Sequence, residues 1–152
     1  IIKKLIHEKK HLSDYPHHFR VSVEDFWAEP VDILIPASVT DVINDHNKNK
    51  IKAQIIVEAA NIPMAESVEE ELFQKGIIII PDFVANAGGV ISSYAEHRGY
   101  NPKRMFDLVE RKIKRNTLLV LKQSMKLHKN PRKIGMEIAK KRIVAKLNGR
   151  RK

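Results

Sequence analysis

Cysteine is absent from the 152 residues. That excludes disulfides and thiolate metal sites, and it fits a reducing compartment. Glycine is scarce, at six residues, and none falls in a G-x-G-x-x-G run, so the turn that cradles a pyrophosphate is missing. Long apolar runs are missing too. The longest, Ile77 to Pro81, is far too short to span a bilayer. The N-terminus carries lysines but no apolar stretch followed by a small-residue cleavage site, so no secretory signal is read and a cytoplasmic location is the expectation. There is no initiator Met. Ile1-Ile2-Lys3-Lys4-Leu5 reads like the middle of an amphipathic helix, which suggests a fragment.

Acidic residues are sparse toward the C-terminus. Residues 98–152 hold nineteen basic and three acidic side chains, whereas residues 21–97 hold four basic and thirteen acidic. A basic tail can bind nucleic acid electrostatically. This one lacks interleaved aromatics and any nucleic-acid motif. A solvated basic face, or one matched to acidic surface elsewhere in a larger molecule, is therefore the preferred reading. Histidines are present, but their spacing gives no paired ligand set. His7 and His11 lie at i, i+4 with no third ligand nearby, and His17, His18, His46, His97 and His128 add none, so no metal site is expected.

What is present is an ordinary globular balance, 43% apolar and 30% charged, in a chain long enough for one domain with its own core. Three short, β-branched, nearly continuous apolar runs stand out: Val31–Ile35, Ile55–Val57 and Ile77–Ile80. Such runs are what strands buried on both faces of a parallel sheet show. Their spacing leaves room for a helix in each connection. Thr40-Asp41-Val42-Ile43-Asn44-Asp45 offers an N-cap and a short helix. After Pro63, Ala65 to Phe73 offers a second, with acids at its start, Lys75 near its end and Gly76 as cap. The expected fold is α/β: a three-stranded βαβαβ unit over about residues 20–87, half of a doubly wound nucleotide-binding sheet, then a helical tail over about 88–149. In the tail one helix runs from Gly88 to about Arg98. A long one spans Pro102 to about Lys129 with Phe106, Val109, Ile113, Val120, Ser124 and Leu127 on one stripe. A last one starts at Pro131 and carries Met136, Ala139, Ile143 and Leu147 at helical spacing.

Ligands bind outside the carboxyl ends of strands in open parallel sheets. The segments there are Pro36-Ala37-Ser38, Glu58-Ala59-Ala60-Asn61-Ile62-Pro63 and Pro81 to Gly89. Asn61 and Asn86 each offer a carboxamide donor and acceptor. Gly88-Gly89 opens a helix and suits close backbone approach. Ser93, four residues after Gly89, can share its face, although a helical serine more often bonds its own backbone.

Val31 to Ala37, Ile56 to Pro63, and Ile80 to Val90 with Ser93-Tyr94 resemble successive blocks of the glutamate/leucine/phenylalanine/valine dehydrogenases, in the family's order and at its spacing. The resemblance covers essentially the whole chain and implies the C-terminal part of a Rossmann-like NAD(P)-binding domain. Family members oxidatively deaminate an amino acid to its 2-oxo acid and ammonia while passing hydride to NAD or NADP. It implies that Ala37, Asn61 and Asn86 lie around the nicotinamide and ribose, and that Gly89, Val90 and Ser93 border the substrate. A serine at 93 favours glutamate, because a hydroxyl suits a carboxylate where an apolar residue does not. Glutamate and 2-oxoglutarate are the implied substrate pair. A homo-oligomer or a complementing N-terminal polypeptide is the implied partner. The family's catalytic lysine and aspartate belong to an N-terminal substrate domain that these blocks do not represent. No catalytic residue is therefore assigned, and the chain alone is expected to be inactive, with weak or absent cofactor binding. Departures from the pattern are Ala59 where the family has glycine, Met64 and Ala65 where it has threonines, Ala95 and His97 where aromatics are usual around Glu96, and a short segment before Pro102.

Overall fold

The computed structural model of the chain describes residues 2–11, 14 and 21–149. His17, His18 and the first position of the expected α/β unit lie outside the described residues. The elements in chain order are α1 (Ile2–His7), α2 (Val23–Ala28), β1 (Ile33–Leu34), a 3-10 turn (Lys48–Lys50), β2 (Ile55–Val57), α3 (Glu66–Gln74), β3 (Ile78–Ile80), α4 (Asp82–Ala85), α5 (Gly88–His97), α6 (Pro102–Leu127) and α7 (Pro131–Gly149).

The three apolar runs form one parallel sheet in the order β1-β2-β3. Its register pairs Ile33 with Ile55, Ile55 with Ile78, Ile56 with Ile79 and Val57 with Ile80. Alternation along each strand sends residues to opposite faces. On one face Ile56 and Ile79 join Trp27, Ile43, Met64, Val68 and Leu72 in the main core. On the other, Ile80 packs with Val84, Val120 and Ile134, and Ile55 and Val57 lean against them. The second face is covered only toward β3, where α6 and α7 lie. Burial on both faces is incomplete, with Ile33 on β1 52% exposed and Ile78, at the amino end of β3, 41% exposed.

The connection from β1 to β2 is not the expected α-helix. Thr40 does not cap a helix; its hydroxyl donates across to the Asn61 carbonyl. Asn47 accepts from the Asn44 amide and donates to the Val42 carbonyl, and Asn44 accepts from the His46 amide. Side chains that satisfy the backbone locally compete with helical hydrogen bonds, and only one 3-10 turn survives. Lys48 closes that turn onto α3 by pairing with both Asp45 and Glu71 at 2.6 Å. The connection from β2 to β3 is the helix the sequence suggests. Val68 and Leu72 on α3 reach the core, and Gly76 ends the helix at φ +89°, a conformation that costs other residues more. Its amide donates to Phe73 O and the next amide to Leu72 O.

The C-terminal helices start and stop close to where the sequence places them. Asn101 accepts from the Arg104 amide at 2.9 Å and so caps α6. Asn130 accepts from the Arg132 amide at the start of α7. The packed faces match expectation only in part. On α6 the expected stripe is buried at Val120 and Ser124, but Phe106 and Leu127 are exposed, and Leu108, outside that stripe, is buried. On α7 Ile134 and Gly135 are buried, while Met136, Ile143 and Leu147 are exposed. Only the first half of α7 meets the sheet, so helical spacing in its second half selects no inward face. Among the described residues no helix is long and apolar enough to cross a membrane.

Candidate functional site

The carboxyl ends of the strands converge as the sequence suggests. The turn after β2 lies against the segment after β1 through the Ala59 and Ala60 amides, which donate to Pro36 O at 3.1 and 2.8 Å. It lies against the segment after β3 through Asn86, whose Nδ2 donates to Asn61 Oδ1 at 2.7 Å and more weakly to the Ala59 and Ala60 carbonyls. The two asparagines, 25 residues apart in sequence, thus form one pair. Asn61 Nδ2 and Asn86 Oδ1 have no hydrogen-bond partner among the described residues. One free donor therefore stands beside one free acceptor, with Asn61 at the surface and Asn86 half-buried. Ala37 is exposed at the adjoining strand end.

Gly89, Val90 and Ser93 lie on the first turns of α5 and are exposed. A Cβ on Gly88 would sit 3.4 Å from Val109 Cγ1 on α6, about ordinary contact, whereas a Cβ on Gly89 would meet nothing within 4 Å among the described residues. The Ser93 hydroxyl donates to Gly89 O at 3.1 Å, and Ser92 does the same at 2.8 Å. This is the local bond common to helical serines.

Behind this edge lies a cluster that the sequence reading does not single out. Arg132, in the first turn of α7, reaches three carboxylates. Its Nη2 donates to Glu58 Oε2 at 2.6 Å, its Nη1 to Asp82 Oδ1 at 3.1 Å, and its Nε to Glu69 Oε2. The side chains of Glu58 and Glu69 are fully buried and that of Arg132 is 15% exposed. Glu58 Oε2 also accepts from the Asp82 amide at 2.7 Å, and Asp82 Oδ2 accepts from the Ile62 amide at 2.9 Å. The second carboxylate oxygens of Glu58 and Glu69 are buried without a hydrogen-bond partner among the described residues. Burial pushes the Glu58 carboxyl up to about 7, with Glu69 adding to the rise, while Arg132 and the Asp82 amide oppose it. Burial raises Glu69 as well, against the hydrogen bond from Arg132. Three acids facing one guanidinium in a dry site favour keeping a proton on one of them.

Two signals in the sequence point at this cluster. Glu69 falls on the buried stripe of α3 between Val68 and Leu72, where an acid requires a partner. The first turn of α7 contains Arg132 and no acid, against the preference of a helix N-terminus for negative charge.

The departures from the family pattern have local roles. Met64 is 1% exposed in the main core and Ala95 is fully buried. A groove of about 560 Å³ lies away from the strand ends, between α3 and α7, lined by Glu66, Ser67, Glu70, Asn130, Lys133 and Met136 among others. Among the described residues no group of three or more His, Cys, Asp or Glu side chains is placed to hold a metal ion.

Known proteins share both sequence and fold with this chain. The NADP-specific glutamate dehydrogenase of Saccharolobus shibatae is 48% identical over 83 residues, covering 55% of this chain and 20% of the relative. The NAD-specific glutamate dehydrogenase of Clostridioides difficile is 42% identical over 89 residues, covering 59% of this chain and 21% of the relative. The chain therefore matches about a fifth of the length of these curated relatives. Among solved structures, the L-tryptophan dehydrogenase of Nostoc punctiforme superposes with a TM-score of 0.74 at 29% identity, over 80% of this chain and 37% of that one. A hetero-hexameric glutamate dehydrogenase from Thermus thermophilus, in its leucine-bound form, superposes with a TM-score of 0.76 over 93% of this chain and 35% of that one. At 18% identity that second likeness speaks for the Rossmann-like fold. The sequence pattern of the glutamate/leucine/phenylalanine/valine dehydrogenases matches residues 1–148, and the chain belongs to that family of NAD(P)-dependent amino-acid oxidoreductases.

Proposed function

We propose that this chain is the C-terminal part of the dinucleotide-binding domain of an NAD- or NADP-dependent glutamate dehydrogenase. In that role it supplies the nicotinamide side of the cofactor site and one wall of the glutamate site. The observation that carries the reading is the Asn61–Asn86 pair: a free carboxamide donor beside a free carboxamide acceptor at the sheet's carboxyl edge. Such a pair is complementary to a primary amide, the group that distinguishes nicotinamide from most ring ligands. Ala37 adds small, exposed surface at the neighbouring strand end.

Gly89, Val90 and Ser93 then border the amino acid. Packing among the described residues does not demand a glycine at 89, which leaves room for a ligand carboxylate near the start of α5, where helix amides favour negative charge. The Ser93 hydroxyl would exchange its bond to Gly89 O for one to the glutamate side-chain carboxylate, a stronger charge-assisted bond. The overall reaction is oxidative deamination of glutamate to 2-oxoglutarate and ammonia, with hydride passing to the nicotinamide. These residues bind and orient; none is assigned proton transfer. The acid–base chemistry is assigned to groups outside these 152 residues, from the same polypeptide or from a partner in an oligomer.

Titration of the isotopically labelled chain with nicotinamide mononucleotide, followed by amide NMR, tests the reading. Shifts gathering at Ala37, Asn61, Asn86 and Gly89 are expected, with millimolar affinity acceptable for half a cofactor. Shifts confined to the α3–α7 groove, or none near saturation, would overturn it. Duplex DNA at varied salt is the parallel arm. Steeply salt-dependent binding through α6 and α7, without any nicotinamide response, would favour a nucleic-acid module instead.

A further inference from the structure

The buried cluster and the asparagine pair share one residue. The Asp82 carboxylate accepts from the Ile62 amide, immediately after Asn61, and the Asp82 carbonyl accepts from the Asn86 amide at 2.8 Å. Asp82 is therefore bonded on both sides to the segments that carry the two carboxamides. Its own orientation is set from behind, by Arg132 on Oδ1 and by Glu58 on its amide.

Ile62 gives that arrangement a reason. It is a β-branched residue at φ +47°, in the left-handed region where such side chains are rare and costly. Backbone strain persists only where the surroundings over-determine it. Here the Ile62 amide is held by Asp82 and its carbonyl accepts from the Asp41 amide at 3.0 Å, while the Asn61 carbonyl accepts from Thr40. Remove the Asp82 acceptor and the turn has less to keep it in that conformation, so Asn61 swings away from Asn86.

We propose that Arg132, acting with Glu58 through Asp82, is the positioning residue of the Asn61–Asn86 pair, setting from the start of α7 the geometry of a site it does not itself touch. The consequence for cofactor binding rests on the nicotinamide reading above; the geometric consequence does not. Simple anchoring of α7 on the sheet would leave the carboxamides where they are once the fold is intact. Positioning would not.

The test uses the full 152-residue chain and two near-isosteric variants. In Asp82→Asn one carboxylate oxygen becomes an NH2 group, so the Ile62 and Phe83 amides, which now bond separate oxygens, can no longer both be accepted. In Arg132→Lys the charge remains but the three-pronged contact is lost. Both are examined for fold by core methyl resonances and for pairing by the side-chain NH2 resonances of Asn61 and Asn86. In the wild type the Asn86 NH2 pair should be dispersed and slow to exchange. In both variants it should move to solvent-like values while the core methyls hold, and affinity for nicotinamide mononucleotide should fall about tenfold. Unchanged Asn86 NH2 resonances in a folded variant would overturn the proposal. Should Asp82→Asn unfold, Arg132→Lys is read by the same criterion. A wild type that shows the paired resonances but binds no nicotinamide mononucleotide would sink the nicotinamide reading alone.

Discussion

Replacing Glu58 with glutamine should change how stability depends on pH, and the direction follows from the cluster. Glu58 faces Glu69 from α3, Asp82 from α4 and Arg132 from α7. Its carboxyl is raised from an ordinary 4.5 to about 7, with burial the main cause and Glu69 the second. A raised folded-state value means the native state holds the proton more tightly than the unfolded chain. The associated stability is thus fully present below about pH 4.5 and is lost as the pH rises through about 7. Two and a half units correspond to a contribution on the order of 3 kcal/mol. The glutamine of Glu58→Gln resembles the protonated form. Its carbonyl can take the place of Oε2, accepting from the Asp82 amide and Arg132, and its NH2 can take the place of the unpartnered Oε1. Urea unfolding of both proteins from about pH 4 to 8 gives the difference between their stabilities, in which groups titrating alike in both cancel. That difference should shift against the wild type by about 3 kcal/mol across the window. A flat difference, or one moving in favour of the wild type as pH rises, would refute the claim that burial outweighs Arg132 at this carboxyl.

Two further outcomes follow from the framework. Asn101→Ala removes the side-chain acceptor for the Arg104 amide and should lower stability by about 1 kcal/mol in urea unfolding, while Asn101→Asp, which keeps an acceptor and adds negative charge at a helix N-terminus, should not. Leu72→Ala, at a core position 1% exposed between α3 and the sheet, should cost about 3 kcal/mol, read as a fall in the urea midpoint with an unchanged slope.

Much of the fold was legible because its signals are local. Three β-branched runs at regular spacing define three parallel strands, since little else buries such runs in a chain of this length. Pro102 and Pro131 with an asparagine before each mark the starts of α6 and α7, and Gly76 marks the end of α3, because caps and breakers act within a few residues. The failures share a different cause. Thr40 resembles an N-cap, yet its hydroxyl turns to a carbonyl 21 residues away, and the asparagines after it satisfy their own backbone. Ile143 and Leu147 keep helical spacing but stay exposed, because α7 runs on past the sheet that would bury them, while Met136, nearer its start, faces the groove beside α3 instead of the core. Periodicity says which residues share a face; it does not say whether anything lies opposite.

The candidate site divides along the same line. By itself the sequence determined the family, the parallel sheet and the segments that follow its strands, with Ala37, Asn61 and Asn86 in them, because strand ends can be read from strand patterns. Only the tertiary structure decided that Asn61 and Asn86 bond to each other, and that Arg132 gathers Glu58, Glu69 and Asp82 behind them. Those partners lie 50 to 74 residues from Arg132 along the chain. A charge in an amphipathic sequence looks solvated until folding removes the water, and what pairs it then is a matter of which distant elements meet.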